Sequence, residues 1–480
     1  MTTGNGGVKV SIVVVLWKFE WNGRYSVYKK GQRRNMKKFI VSVGLAATGA
    51  AALQMRCVSQ SSPLESPKEW NVSASLRGFY DDNYSTIPNK QGSYGVEVSP
   101  TLSASLPFTQ TEFGAYYNYN LQWYQQRQEA GLNPYDQSHT FNLWVDHAFN
   151  ERWQVKANNS FVVGQEPELL LAGAQGAPAT PLRLNGDNID NNGSVLVHAD
   201  WTRLFSTEVT YGNNLSLYSQ NASGSLTNLN AGVYSDTVTN SYAGTLNLDQ
   251  NSLNLDLQWH VAPETTFTVG YQFILVNYIG DQIIAAYNRP SGLKPITFYS
   301  DSRDNLSHIV DLGLQHNFMP DLVGAVKAGI QYNETINNPL ANTTALSPYV
   351  DMSLIYTYTP GCNAQIGFTE MRNATDIVSV GGNGSLTQDQ QSSSLHASIN
   401  HHFTPKFLTT VIGSWTASTY NGGGSNGETD NDYGLGLSAN YAFTRYISGE
   451  LDYNYDNLTS GIQGRSFDRN RVTLGLSVAY

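Results

Sequence analysis

The sequence is short of charge, of cysteine and of long apolar runs. Asp, Glu, Lys and Arg make up 14% of its 480 residues, against about 25% in an ordinary soluble domain. A soluble α/β enzyme of this length carries more Lys and Glu and a clear helical period, so that class is disfavoured at once. Two cysteines, Cys57 and Cys362, do not make a disulfide scaffold, and two free thiols are a simpler reading than one bridge. After the first 55 residues no apolar run approaches the ~20 residues that a helical membrane span requires. Disorder is disfavoured too, because disordered chains are rich in charge and poor in aromatics. Here aromatics reach 12%, with 29 Tyr, beside 43 Gly.

The charge that exists is unevenly spread. Residues 1–52 hold nine Lys or Arg and one acid; without them 19 bases face 37 acids, and the net charge falls from −10 to −18. So acidic a chain excludes nucleic acid as a partner. Met36-Lys37-Lys38, the apolar stretch Phe39 to Leu53 and the small residues Ala50-Ala51-Ala52 spell an export signal, which assigns 36–52 to a signal peptide cleaved near Ala52. Met55 and Arg56 before Cys57 do not suit a lipoprotein site. Residues 1–35 are expected to be an extension from a start codon chosen too far upstream. Residues 53–69, with Pro63 and Pro67, form a periplasmic linker, and 70–480 form the folded part.

From Trp70 onward apolar and polar residues alternate. Tyr94, Val96, Val98, Pro100, Leu102, Ala104 and Leu106 share one parity, and so do Leu253, Leu255, Leu257, Trp259 and Val261. Period two puts each set on one face of a strand. Many runs exceed the 5–6 residues usual for soluble strands and match the ~9–11 that cross a bilayer. Connections alternate as well. Tight ones are expected at 107–109, 149–151, 205–206, 262–264, 318–321, 358–361, 403–406 and 443–445. Long polar ones are expected at 81–92, 125–137, 164–191, 219–240, 279–303, 334–346, 373–390, 421–430 and 458–466. One tight and one loose connection per pair of strands predicts an all-β, transmembrane up-and-down antiparallel barrel of about 18 strands, or 16 if a weak pair is misread. Closure is required because an open edge leaves backbone groups unpaired in lipid.

The polar parity then faces the lumen. It carries the acids Glu97, Glu112, Asp146, Asp200, Asp256, Asp311, Asp351, Glu450 and Asp452, against Lys156, Lys327, Arg469 and Arg471. Trp123, Trp153, Trp201, Trp259, Phe403, Phe443, Tyr446 and Tyr480 fall at strand ends, where interfacial girdles form.

Five segments in the C-terminal half carry a resemblance: 301–305 (DSRDN), 347–351 (SPYVD), 372–376 (RNATD), 387–390 (TQDQ) and 468–472 (DRNRV). Through them the chain resembles a β-barrel porin family of Gram-negative outer membranes. The resemblance implies a fold and a membrane, and no substrate. The last strand, ending at Tyr480, resembles the signal read by the outer-membrane insertion machinery. Outer-membrane lipid, lipopolysaccharide and small hydrophilic solutes are the other expected partners, and a homo-oligomer is compatible with the sequence.

Catalytic signals are weak. Gly423-Gly424-Ser425-Asn426-Gly427 spells a nucleophile elbow but lies in a glycine-rich loop without the strand and helix that motif needs. His401 and His402 are adjacent on a strand and point to opposite faces, which suits interfacial hydrogen bonding better than a shared metal. The acids of 187–190 and 428–432 lack the spacing of a calcium loop. No enzyme and no cofactor is expected. The function expected is a passive diffusion channel preferring cations; the alternative is a structural or adhesive barrel acting through its loops. Loop 164–191 is the longest, and Leu169-Leu170-Leu171 with 172–179 makes it unusually apolar. It is expected to fold into the lumen and to set Glu166, Glu168, Arg183, Asp187 and Asp190 at a constriction; the alternative is a loop that folds over the rim or contacts a neighbouring barrel.

Overall fold

The computed structural model describes residues 69–164, 188–219, 242–287, 289 and 295–480. The expectations for the extension, the signal peptide, the linker and Cys57 lie outside the described residues. The barrel opens with β1 Trp70–Asp81, β2 Ser93–Pro107, β3 Thr111–Tyr124, β4 Tyr135–Ala148 and β5 Trp153–Gly164. β6 Asn188–Asp200, β7 Phe205–Tyr218, β8 Leu248–Ala262 and β9 Thr265–Tyr278 follow. A small hairpin, β10 Ile283–Tyr287 with β11 Ile296–Tyr299, interrupts the series. It resumes with β12 Asn305–Met319, β13 Leu322–Thr335, β14 Thr344–Thr359, β15 Cys362–Asn373 and β16 Thr387–Thr404. β17 Phe407–Gly422, β18 Thr429–Ala442, β19 Ile447–Ser460 and β20 Phe467–Ala479 complete it. Two short helices, α1 Gln125–Glu129 and α2 Tyr242–Leu246, lie in long connections.

Eighteen strands form one antiparallel sheet, with β9 paired to β12 across the small hairpin. β1 closes on β20 from Ser73 opposite Ala479 to Asp81 opposite Arg471, so no edge is left open. The polarity is inside out. On β2, Tyr94, Val96 and Val98 are exposed while Ser93, Glu97 and Ser99 are buried. Leu474 is 67% exposed and Asp256 only 4%. This is the arrangement a lipid solvent selects, because only the closed ladder satisfies the backbone and only apolar side chains suit the outside.

Seven of the expected tight turns lie where the sequence put them. The exception is 205–206: Phe205 already opens β7, and the turn is made by residues 201–204, with Trp201 N–H donating to Phe205 O. An aromatic marks the end of the membrane zone, and the chain can turn on either side of it. The turn after β14 takes Gly361 at φ +79°, a conformation open to glycine and strained for other residues. Around this end aromatics touch in series: Trp153–Trp201 at 5.3 Å, Phe205–Trp259 at 5.2 Å and Tyr441–Phe443 at 5.3 Å. His401 joins the series, its Nδ1 2.8 Å from Tyr358 Oη.

Two long connections are shorter than the polar composition suggests, and a third contains strands of its own. β6 begins at Asn188, so Asp190 stands on a strand opposite Val162 and Ser216 rather than in a loop. β16 begins at Thr387 inside the expected loop 373–390, and 279–303 contains β10 and β11. Barrel strands here run 12 to 18 residues, more than the ~9–11 that a bilayer crossing needs. Past that level both faces can be polar, and alternation disappears while the ladder continues.

Candidate functional site

Side chains that meet across several strands can do so only on the concave side of the sheet, and the charges do this twice. The first group joins β19, β20, β1 and β2. Arg77 Nη1 donates to Glu97 Oε1 at 2.7 Å, and the same guanidinium pairs with Glu450. Arg471 Nη2 and Gln122 Nε2 donate to Glu97 Oε2 at 3.2 and 2.9 Å. Arg471 also lies over the Phe79 ring, 3.9 Å from its centre. Arg469 Nε donates to Asp456 Oδ2 at 2.9 Å. Between Glu450 and Arg77 the wall residue is Gly475. A Cβ there would stand 2.5 Å from Glu450 Oε1 and 2.8 Å from Arg77 Cγ. The glycine lets the pair lie flat on the wall.

In the second group Lys327 of β13 reaches over β12 and β9 to Asp256 of β8, Nζ to Oδ2 2.7 Å. Gly313 and Gly270 lie beneath: a Cβ at Gly313 would come within 3.1 Å of Lys327 Cγ, and one at Gly270 within 2.5 Å of the Asp311 carboxylate. Asp351 is opposite Lys327 in register, and Glu208 is opposite Asp256. Four carboxylates thus surround one ammonium, and Asp311 is 3% exposed. The remaining expected charges lie towards the tight-turn end, apart from Asp452, which is opposite Ser438 and Thr473. Glu112 accepts from Ser105 Oγ at 3.0 Å; Asp146 accepts from Gln154 Nε2 at 2.7 Å with Lys156 Nζ at 3.4 Å; Asp200 is 3.3 Å from His198 Nε2. Sequence reasoning missed Arg77, Asp81, Glu208, Asp432 and Asp456. The outward parity of Trp70, Val72, Leu76 and Tyr80 on β1 was signal enough for the first two.

At the opposite end β15 separates from β14, while β16 stays paired with β17 up to Thr387 opposite Gly422. Pairing of β14 with β15 stops at Val350 opposite Glu370, yet β15 and β16 stay paired up to Asn373 opposite Gln390. Above the break Arg372 is gripped by Gln331 of β13, two strands away: its N–H donates to Gln331 Oε1 at 2.8 Å and its carbonyl accepts from Nε2 at 3.0 Å. Arg372 Nη1 bonds both oxygens of Asp389, at 2.9 and 3.1 Å, and Asp389 also accepts from Asn333 and Asn421 at 2.8 Å each.

The hairpin tip is held from two sides. Arg303, fully buried and 4.1 Å over the Tyr278 ring, donates to Thr375 O at 2.8 Å, to Ile377 O at 3.4 Å and to Thr245 O. Arg465, from the β19–β20 connection, grips Asp376 with both terminal nitrogens at 2.7 and 3.1 Å and gives Nε to Asp430 at 2.7 Å. Thr375 and Asp376 are neighbours, so the tip is anchored to connections on well-separated parts of the barrel. Beneath and beside it lie apolar side chains: Ile274, Val276, Tyr278, Ile309 and Tyr349 on the inner parity of barrel strands in one cluster, and Ile284, Ile296 and Phe298 of the small hairpin with Leu386 in another. Gly423 has φ +66°, and a Cβ there would be 2.1 Å from Ser379 O of the tip.

The described inward-folded segment is therefore the β15–β16 hairpin. Of the residues expected at a constriction in 164–191, Glu166, Glu168, Arg183 and Asp187 lie outside the described residues, and Asp190 is on β6. Four of the five motif segments, 301–305, 347–351, 372–376 and 387–390, meet around this hairpin.

Residues 340–480 match the family described as Putative beta-barrel porin 2, which agrees with the resemblance carried by the C-terminal motifs. Among curated proteins none matches the chain. Solved structures to which it is similar include OccAB4 of Acinetobacter baumannii, at 11% identity over 86% of this chain and 99% of that one, TM-score 0.39. A BenF-like porin of Pseudomonas fluorescens Pf-5 is 10% identical over 86% and 99%, TM-score 0.41, and opdK of Pseudomonas aeruginosa is 9% identical over the same shares, TM-score 0.40. Overlaps of that size are likenesses only; the eighteen-strand closure rests on this chain's own ladder.

Proposed function

We propose that this porin-like outer-membrane barrel is a channel for passive diffusion of small hydrophilic solutes, narrowed at its outer mouth by the β15–β16 hairpin and preferring cations. The observation that carries it is the hairpin tip held across the mouth by Arg303 and Arg465 above a polar, charged wall. A barrel of this strand number encloses an aqueous lumen if nothing fills it. Its selectivity would be set where the lumen is narrowest and by the field of the wall.

The sign of that field favours cations. To the nine acids and four bases expected on the polar parity, the wall adds Asp81, Glu208, Asp432 and Asp456 against Arg77. Paired arginines cancel much of this locally, and Lys327 does not balance the four carboxylates around it. Low-dielectric walls focus the remaining negative potential. Reversal potentials of the reconstituted channel in a salt gradient test this. Cation selectivity is expected, weakening at high salt as the Debye length shrinks from ~10 Å at 0.1 M to ~3 Å at 1 M. Anion selectivity would overturn the charge reading, and a barrel without conductance would favour a structural or adhesive role.

A further inference from the structure

We propose that Pro348 and Gln331 are the positioning residues that turn β15 away from β14: the proline ends the ladder between them, and the glutamine side chain stands in for the backbone groups that the proline lacks. Its consequence for conductance rests on the constriction described above; its structural part does not.

The direction of the backbone groups follows from the register. Thr335 N–H donates to Thr343 O, and Thr357 N–H donates to Asp321 O. Odd-numbered residues along β14 therefore point their backbone groups at β13, and even-numbered ones, Pro348 among them, point at β15. The last β14–β15 pair is Val350 opposite Glu370. Two residues further the same register would set Pro348 opposite Arg372. Arg372 would need a carbonyl for its N–H and an N–H for its carbonyl, and proline offers only the first. Gln331 offers both. Its Oε1 accepts the Arg372 N–H at 2.8 Å, and its Nε2 donates to Arg372 O at 3.0 Å. Nε2 also donates to Ser307 Oγ at 3.2 Å, which fixes the plane of the carboxamide.

Gln331 is fully buried, between the outward-facing Ile330 and Tyr332, so its side chain lies on the lumen side of β13. It is opposite Ser347 in register, and that small side chain leaves room for it to cross β14. Bonding to Gln331 thus draws β15 under the inner face of its neighbour. Met371 and Ala374 pack there against the cluster that contains Tyr349.

Pro100 of β2 shows what a proline does alone. Phe108 N–H donates to Thr111 O, so even-numbered residues of β2 point at β3. The β2–β3 ladder omits Ser99 and Pro100, yet it continues from Thr101 opposite Asn118 to Val98 opposite Leu121 in one register. A proline opens a local gap and leaves the strands together. Beyond Pro348 the ladder does not resume, and the difference is a side chain that takes the next residue elsewhere.

The test is limited proteolysis of the connection 374–386 in the full chain reconstituted in lipid vesicles, with single-channel conductance beside it. Gln331→Met leaves the Arg372 backbone groups without a partner on either strand. Cleavage should then be faster by about tenfold or more, the scale of two lost hydrogen bonds. Adding Pro348→Val supplies the missing N–H, so the double variant should regain resistance to cleavage and conduct more than the intact chain. Should Gln331→Met fail to fold, Pro348→Val alone, at an exposed position, still decides: single-channel traces should show a second, higher level absent from the intact chain. Unchanged cleavage in Gln331→Met, no rescue in the double variant, or traces of Pro348→Val identical to those of the intact chain would overturn the proposal. Rescue from cleavage without a rise in conductance supports the ladder role and overturns the constriction reading instead.

Discussion

The wall in the membrane zone and the outer mouth place the same residue types on opposite faces. In the membrane zone Leu312, Leu474 and Leu476 face out, and Arg77, Glu97 and Asp256 lie within. At the mouth Ile274, Val276 and Tyr278 take the inner parity, while Arg372 and Asp389 sit on the parity that lower on their own strands carries Ile366, Leu395 and Ile399 outward. Parity alone therefore does not fix polarity; what covers each face does. Inner apolar residues are stable where the small hairpin β10–β11 and the β15–β16 tip cover them. Charges on the outward parity are stable where β15 has separated from β14 and Arg372 and Asp389 reach Gln331 and Asn333 of β13.

Changing the two regions in parallel sharpens the difference. The largest effect is expected from Lys327→Met in the wall. It leaves Asp256 without its partner, and breaking a buried pair in this way costs about 3–5 kcal/mol. Urea unfolding from lipid vesicles should show that loss, and the surviving channel should become more cation-selective in reversal-potential measurements. An unchanged midpoint would mean that water, not Lys327, compensates these acids.

Arginine placed on apolar positions separates the regions next. Leu312→Arg on the lipid face should cost roughly 2–4 kcal/mol near the bilayer midplane. Leu340→Arg, on the exposed lip of the mouth, should change stability by no more than about 0.5 kcal/mol. Equal costs at both sites would show that the membrane boundary is misplaced.

The smallest effects concern glycines. Gly423→Ala at the mouth forces a left-handed residue at about 1–2 kcal/mol and pushes Cβ into Ser379 O. Gly413→Ala in the wall meets nothing within 4 Å and should be neutral to about 0.5 kcal/mol. Protease nicking of the outer connections in the first variant, with none in the second, is the accompanying readout.

The wall was legible in the sequence because its code is local. Alternation over ten or more residues identifies a strand and its faces, and the tight turns punctuate it, so strand number and closure could be read directly. The mouth was not legible because its contacts join residues far apart in the chain: Arg303 with Thr375, Arg465 with Asp376, Gln331 with Arg372. No periodicity reports such pairs. Two traces were present and unread. Ile274, Val276 and Tyr278 put apolar side chains on a parity that should have been polar, and Arg372 and Asp389 put charge on the other. The motifs that carried the family resemblance include the residues that make these contacts. The apolar composition of 164–191 pointed to a constriction on residues that lie mostly outside the described ones.

The inward-folded hairpin is tested most directly by replacing residues 375–383 with a short Gly-Ser link and recording single-channel conductance beside the intact chain. The link removes the contacts to Arg303 and Arg465 and leaves all eighteen barrel strands in place. A higher conductance and admission of larger solutes are expected from a barrel that still resists unfolding in SDS. The same conductance and the same solute cutoff, from an equally well folded barrel, would contradict the constriction.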